Sequence, residues 1–145
     1  MIRSYTSKDT EALLAIWEKA NAAAHPFLPP EFTDFVRTSV REVFLPQAQT
    51  WVLEEMQRPI GFIAMIDTEI GGLFLDPTCH GQGHGRAMVD HVVSLKGPLR
   101  VEVFKDNKIG LPFYLRYGFE IIGEYHHAES GFTILQMAMP GADPA

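Results

Sequence analysis

Three glycines at alternate positions, Gly81, Gly83 and Gly85, separate the apolar run Leu73-Phe74-Leu75 from a segment with apolar residues at Met88, Val89, Val92, Val93 and Leu95. The run reads as a strand ending, and the later spacing is that of one helix face. Asp76-Pro77 closes the strand, because proline has no N–H to give a ladder. Strand, glycine turn and helix in that order set the bare N–H groups and positive dipole end of a helix start at the turn. Glycines there let an anion approach the backbone without a Cβ in the way. The stretch is a candidate phosphate cradle, with a ligand-free glycine turn as the alternative. Two familiar cradles do not fit. Gly85 is followed by Arg86-Ala87 instead of Lys-Ser/Thr, and Gly83-x-Gly85 is followed at the third position by Met88 instead of glycine.

The pattern that fits is Gln/Arg-x-x-Gly-x-Gly/Ala, matched by His80-Gly81-Gln82-Gly83-His84-Gly85 at both glycines and not at His80. It resembles the acetyl-coenzyme A loop of the GNAT N-acetyltransferase superfamily. One helix and one strand later, Asn107-Lys108-Ile109-Gly110-Leu111-Pro112-Phe113-Tyr114-Leu115-Arg116-Tyr117-Gly118-Phe119 resembles a second GNAT signature, Asn-x-x-Ala-x-x-Phe-Tyr-x-x-x-Gly-Phe. Asn107, Phe113, Tyr114, Gly118 and Phe119 match it, and Gly110 stands for the alanine. Pro112 places a proline either in the first turn of a helix or at a kink.

The resemblance implies direct transfer of an acetyl group from acetyl-coenzyme A to a primary amine of a small molecule or peptide. A base, or a water relay to one, must take a proton from the amine, the carbonyl oxygen needs a donor, and the leaving thiolate needs a proton nearby. By likeness to the family, Tyr114 is that proton donor. A phenol of reference pKa ~10 keeps its proton at neutral pH and can meet a thiolate of ~8.5. The alternative is a packed tyrosine. Glu69, eleven residues ahead of His80 on the strand leading to the loop, is the candidate base, with His126 or His127 as substitutes. By period-two alternation it shares a face with Gly71, Leu73 and Leu75. Backbone of Gly81, Gln82, Gly83, His84, Gly85 and Arg86 is expected at the pyrophosphate. Leu73 and Leu75 are expected along the pantetheine arm as an added strand would be. Asn107 is expected on that arm, or as a helix cap. The acceptor pocket is expected from residues 22–32, chiefly His25, Phe27, Leu28 and Phe32, with the loop 126–131. A second class of reading is a catalytically silent acyl-coenzyme A-binding module. No metal site is expected from the six histidines, because His80 and His84 lie in a glycine turn without supporting ligands. Cys79 reads as a packing residue.

These residues need a scaffold. Ile2-Arg3-Ser4-Tyr5 alternates as a strand, and Thr6 or Ser7 can cap a helix that buries Leu13, Leu14, Ile16, Trp17 and Ala20 and ends near Ala24. The prolines of His25-Pro26-Phe27-Leu28-Pro29-Pro30 stop it. A second helix is expected from Glu31 to Phe44, ended by Leu45-Pro46, with Phe32, Phe35, Val36, Val40, Val43 and Phe44 inward. Strands are expected over 50–55, 60–67 and 69–75, with 56–59 as a turn, then a helix over 86–95 and a strand over 99–103. A helix over 107–117 capped by Gly118 follows, then strands over 119–126 and 132–139. This predicts an α/β (α+β) architecture: a mixed, mostly antiparallel sheet of about seven strands flanked by four helices, an order that also resembles the GNAT fold.

At 145 residues and 46% apolar composition the chain is long enough for one packed domain, expected over 1–140 with a frayed tail at 141–145. The net charge of −6 argues against a nucleic-acid partner. No apolar run is long enough to predict a membrane span, the N-terminus lacks a signal-peptide core, and the single cysteine suits a reducing cytoplasm. The expected state is a cytoplasmic monomer or homodimer.

Overall fold

In the computed structural model, which describes residues 1–142, seven strands form one sheet in the order β1-β2-β3-β4-β5-β7-β6. The strands are β1 (Ile2–Ser4), β2 (Gln49–Glu55), β3 (Arg58–Ile66), β4 (Glu69–Leu75), β5 (Arg100–Phe104), β6 (Glu120–His127) and β7 (Phe132–Ala138). All neighbours pair antiparallel except β4 with β5, which are joined by a helical crossover and run parallel. Four main helices cover the two faces: α1 (Thr10–Ala24), α2 (Pro30–Ser39), α3 (His84–Lys96) and α4 (Gly110–Tyr117). This is the mixed, mostly antiparallel sheet with four helices that the sequence predicts.

Alternation along the central strands sorts the core into two layers. Val52, Phe62 and Ala64 pack with Leu13, Leu14, Ile16 and Trp17 of α1. Trp51, Leu53, Ile63 and Met65 pack on the other face with Met88, Val89 and Val92 of α3 and with Tyr114. β3 is therefore apolar at successive positions because both its faces are covered.

Several boundaries differ from the expected ones. The second helix does not stop at Leu45-Pro46: Val40–Phe44 widen into a π-helix, and Leu45–Gln47 add a last turn. Pro46 has no N–H to give an α-type bond, and the wider winding lets the chain reach Ala48, whose N–H bonds Phe44 C=O at 2.8 Å. Phe35 and Val43, expected inward, are 65% and 53% exposed, because the inward stripe follows Phe32, Val36 and Val40 at four-residue steps. The β2–β3 turn is only Met56-Gln57, both at positive φ as a tight hairpin requires, so Arg58 and Pro59 belong to the strand. α3 begins two residues earlier than expected, at His84, and α4 three residues later, at Gly110. Pro112 thus lies in the first turn of α4, where its missing N–H costs no helical bond. Of the expected tail, Gly141 lies with Pro140 in a turn closed by Ala142 N–H on Met139 C=O at 3.1 Å, and residues 143–145 lie outside the described residues.

Candidate active site

β4 and β5 pair only through Glu69 with Arg100 and Ile70 with Val101. Beyond Ile70 they part, so the backbone that residues 71–75 turn toward β5 has no ladder partner there. On its other side β4 carries a bulge. Ala64 faces Gly72 and Met65 faces Ile70, which leaves Gly71 as the extra residue. Phe44 packs where a Cβ on Gly71 would stand, 2.3 Å from its ring. The bulge resets the alternation, so Leu73 and Leu75 pack toward α3 and α4 with Ile70. Glu69 therefore does not share their face, contrary to the simple alternation read from the sequence. It stands on the α1–α2 face beside Arg100, 3.4 Å away.

A cleft of about 530 Å³ opens where the strands part. Leu73 and Leu75 line it from β4, and His84, Gly85 and Arg86 line it from the start of α3. Gly81 and Gly83 also line it, with φ of +79° and +83°, and a Cβ at either would meet nothing within 4 Å. The left-handed backbone there requires glycine, and the space above it is open to a ligand. The first bond inside α3 runs from Ala87 N–H to Gly83 C=O at 3.0 Å. The N–H groups of His84, Gly85 and Arg86 thus have no partner within the helix, and with the dipole they suit a diphosphate. Gly85 has another reason for its size: a Cβ there would stand 3.1 Å from the ring of Phe113, so it sets the approach of α3 to α4. Gln82, exposed in the turn, is not on the cleft wall.

Arg86 lies over the ring of Tyr117, 4.7 Å from its centroid, and Tyr117 donates to Asp90 at 2.5 Å. Lys108 and Arg116 add positive charge to the same wall. Sequence reasoning does not single these two out, although they stand inside the second motif.

Tyr114 faces the cleft from α4 while 6% exposed, edge-on to Phe113 and Phe119. Burial pushes its phenol well above the usual value. Asn107 also lines the cleft, and its side chain closes the start of α4: Oδ1 accepts from Ile109 N–H at 3.0 Å and Gly110 N–H at 2.7 Å. It is the cap that one reading of the sequence allows.

The expected acceptor residues come together in part. His25, Phe27 and Phe32 pack edge-on around Phe104 of β5, and His127 joins them from β6, 5.6 Å from Phe32. His127 is anchored by its own loop, Nδ1 to Ser130 Oγ at 2.8 Å and Nε2 to Glu129 at 3.2 Å. Leu28 lines an adjoining apolar pocket of about 120 Å³ with Phe32 and Phe104. His126 does not join: it is exposed, and alternation along β6 turns it away from Tyr125 and His127. Phe74 and Phe104, which sequence reasoning passes over, wall this pocket from the two parting strands. Beyond them on the same face, Tyr125 donates to Glu102 at 2.6 Å, and burial together with Glu102 raises the Glu69 carboxyl above its ordinary value, against the opposing pull of Arg100.

The family model described as an acetyltransferase (GNAT) domain matches residues 46–121, the span from β2 through the cleft to β6. The chain belongs to the GNAT acetyltransferase family. It is an acetyl-transferring enzyme, which sets aside the silent-module reading. Among GNAT relatives, the chain is 33% identical over 144 residues to the peptidyl-lysine N-acetyltransferase YjaB of Escherichia coli (strain K12), covering 97% of each chain. It is 28% identical to the peptidyl-lysine N-acetyltransferase YiaC of the same organism, covering 84% of each. The solution structure of apo-form YjaB superposes with a TM-score of 0.87, covering 98% of both chains at 32% identity. The PaiA N-acetyltransferase of Thermoplasma acidophilum, solved in complex with coenzyme A, shares the GNAT fold at a TM-score of 0.77 and 19% identity, covering 96% of this chain and 97% of that one. Among the described residues no helix is long and apolar enough to cross a membrane.

Proposed function

We propose that this GNAT enzyme transfers the acetyl group of acetyl-coenzyme A directly to the side-chain amine of a peptidyl lysine. The observation that carries the reading is the cleft itself: bare helix-start N–H groups at one end, unpaired β4 backbone along one wall, and Tyr114 opposite. The lysine acceptor rests on the two relatives named for it. An aromatic and apolar group on the opposite face of the sheet, with Glu69 and Glu102 beyond it, suits a long aliphatic stem ending in an ammonium.

When bound, acetyl-coenzyme A supplies the activated acetyl group. The N–H groups of residues 83–86 hold its diphosphate, with Gly81 and Gly83 giving the room, and Lys108, Arg86 and Arg116 neutralise charge at the rim. Leu73 and Leu75 receive the pantetheine arm along backbone that β5 leaves free. Asn107 acts on this arm only indirectly, by closing α4. Tyr114 keeps its proton and offers it as a hydrogen bond to the leaving sulfur. Glu69 takes the amine proton through water from the opposite face of the sheet, while Phe27, Phe32, Leu28 and His127 wall the acceptor side. Residues 1–140 act as one catalytic unit. The free thiol of Cys79 suits a reducing cytoplasm, and the acidic balance suits a protein partner and not a nucleic acid or membrane surface.

The test is thiol release from acetyl-coenzyme A with lysine-containing peptides, small amines and a no-acceptor control. Turnover on the peptides with the acetyl group recovered on lysine is expected. Turnover confined to the small amines would overturn the acceptor, and no turnover on either would overturn the reaction.

A further inference from the structure

His25 is half-buried at the end of α1 and lines both the cofactor cleft and the adjoining apolar pocket. Both of its ring nitrogens are engaged, so it is not free to serve as a base. Asn107 Oδ1 is committed to the N–H groups of Ile109 and Gly110. Its amide nitrogen must therefore be the group that faces His25 Nε2 at 3.2 Å. An amide nitrogen only donates, so Nε2 carries a lone pair and the ring proton sits on Nδ1. Nδ1 in turn donates to Oδ1 of the buried Asn21 at 2.7 Å. One ring tautomer and one orientation of each amide satisfy all four bonds. Phe27 and Phe104, edge-on at 5.9 and 5.2 Å, fix the ring plane.

We infer that His25 is a positioning residue, a strut that holds the start of α4, and through it Tyr114, against the end of α1. A second observation points the same way. Gly110 stands where the family signature has alanine, and a Cβ there would lie 2.6 Å from Asn107 Nδ2. The absent methyl is the space in which the Asn107 amide turns toward His25. The strut crosses the partition between the two cavities, so it ties the acceptor wall to the helix that carries the phenol. This rests on the reading of Tyr114 as the proton-holding group.

The experiment compares the full-length protein with His25→Phe, His25→Gln and Gly110→Ala. His25→Phe keeps an aromatic ring against Phe27 and Phe104 and removes both hydrogen bonds; His25→Gln keeps an acceptor and a donor. In the wild type, ring-nitrogen NMR should show the proton on Nδ1; a proton on Nε2 overturns the strut. In His25→Phe and Gly110→Ala the amide signals of Ile109, Leu111, Phe113 and Tyr114 and the Tyr114 ring signals should move, and wild-type positions would overturn it. With acetyl-coenzyme A and a lysine peptide, kcat should fall about tenfold in both, with little change in coenzyme A affinity and recovery in His25→Gln. A Tyr114→Phe control separates the two readings. If it leaves turnover unchanged, the role of Tyr114 fails; if it lowers turnover and His25→Phe does not, the strut fails.

Discussion

Burial of Tyr114 removes the water that would stabilise its phenolate, so the side chain stays protonated across the physiological range. Full transfer to a thiolate of reference pKa ~8.5 is then uphill, so in the role proposed for it the group would act as a short, water-shielded hydrogen bond that strengthens as charge grows on sulfur. Tyr114→Phe should lower kcat by about 10²-fold while the coenzyme A dissociation constant, read by calorimetry, stays close to the wild-type value. An equal rate would leave Tyr114 as a packing residue. Glu69 is the opposite case. A base must be unprotonated, so with Glu69 as the proposed base activity should fall as pH drops through its pKa. Burial and the nearby Glu102 raise that value, so the acidic limb of kcat/KM should lie above the ordinary carboxylate range. Glu69→Gln should lower kcat/KM and remove the limb; a limb that persists unchanged belongs to another group.

At the scale of elements, the three glycines of the turn divide their labour. Gly83→Val forces a β-branched side chain into a φ of +83° and into the open space over the N–H groups, and should raise the coenzyme A dissociation constant about tenfold or more. Gly85→Val presses on Phe113 and should lower stability by about 1–3 kcal/mol, visible in Tm before it is visible in coenzyme A binding. Identical profiles for the two variants would contradict this division. Sequence reasoning reaches the strand, turn and helix around these glycines because apolar period and proline breaks are local. It also reaches the order of all seven strands along the chain, though not their order in the sheet, which depends on long-range pairing. It misses the orientation of Glu69, because one bulged residue at Gly71 reverses parity and simple alternation passes over the Gly71-Gly72 pair that could mark a bulge. It misses the bond of Asn107 to His25, 82 positions apart, because no local pattern carries so distant a pairing. Phe35 and Val43 face solvent and not the core, because apolar type alone does not say which of two helix faces is covered.

For the molecule as a whole, acid should act in two steps. His25 is held down from 6.5 to about 4 by burial alone. The unfolded chain therefore takes up this proton near 6.5 and the native state only near 4, so stability falls as pH drops between those values, by ~3 kcal/mol in all. Asp9 follows. Its bond to Arg3, helped by Thr6 N–H at 2.9 Å, lowers its carboxyl from 3.8 to about 2, so its contribution is present above 3.8 and is lost as pH falls toward 2. Urea unfolding at pH 7, 5.5 and 4 should show the first step in the wild type and a flat response over that interval in His25→Phe; a slope that survives the substitution would assign it elsewhere.

The parting of β4 from β5 has a mechanical consequence. Two adjacent pairs, Glu69 with Arg100 and Ile70 with Val101, are the whole backbone seam between the N-terminal leaf of four strands and the C-terminal leaf of three. The two leaves share their helical covers but scarcely share a ladder, so the seam is where amide exchange can open without unfolding either side. A long, flexible guest laid into the gap would supply the rungs that the protein leaves out, so an acyl donor bound there would also stitch the scaffold shut around it.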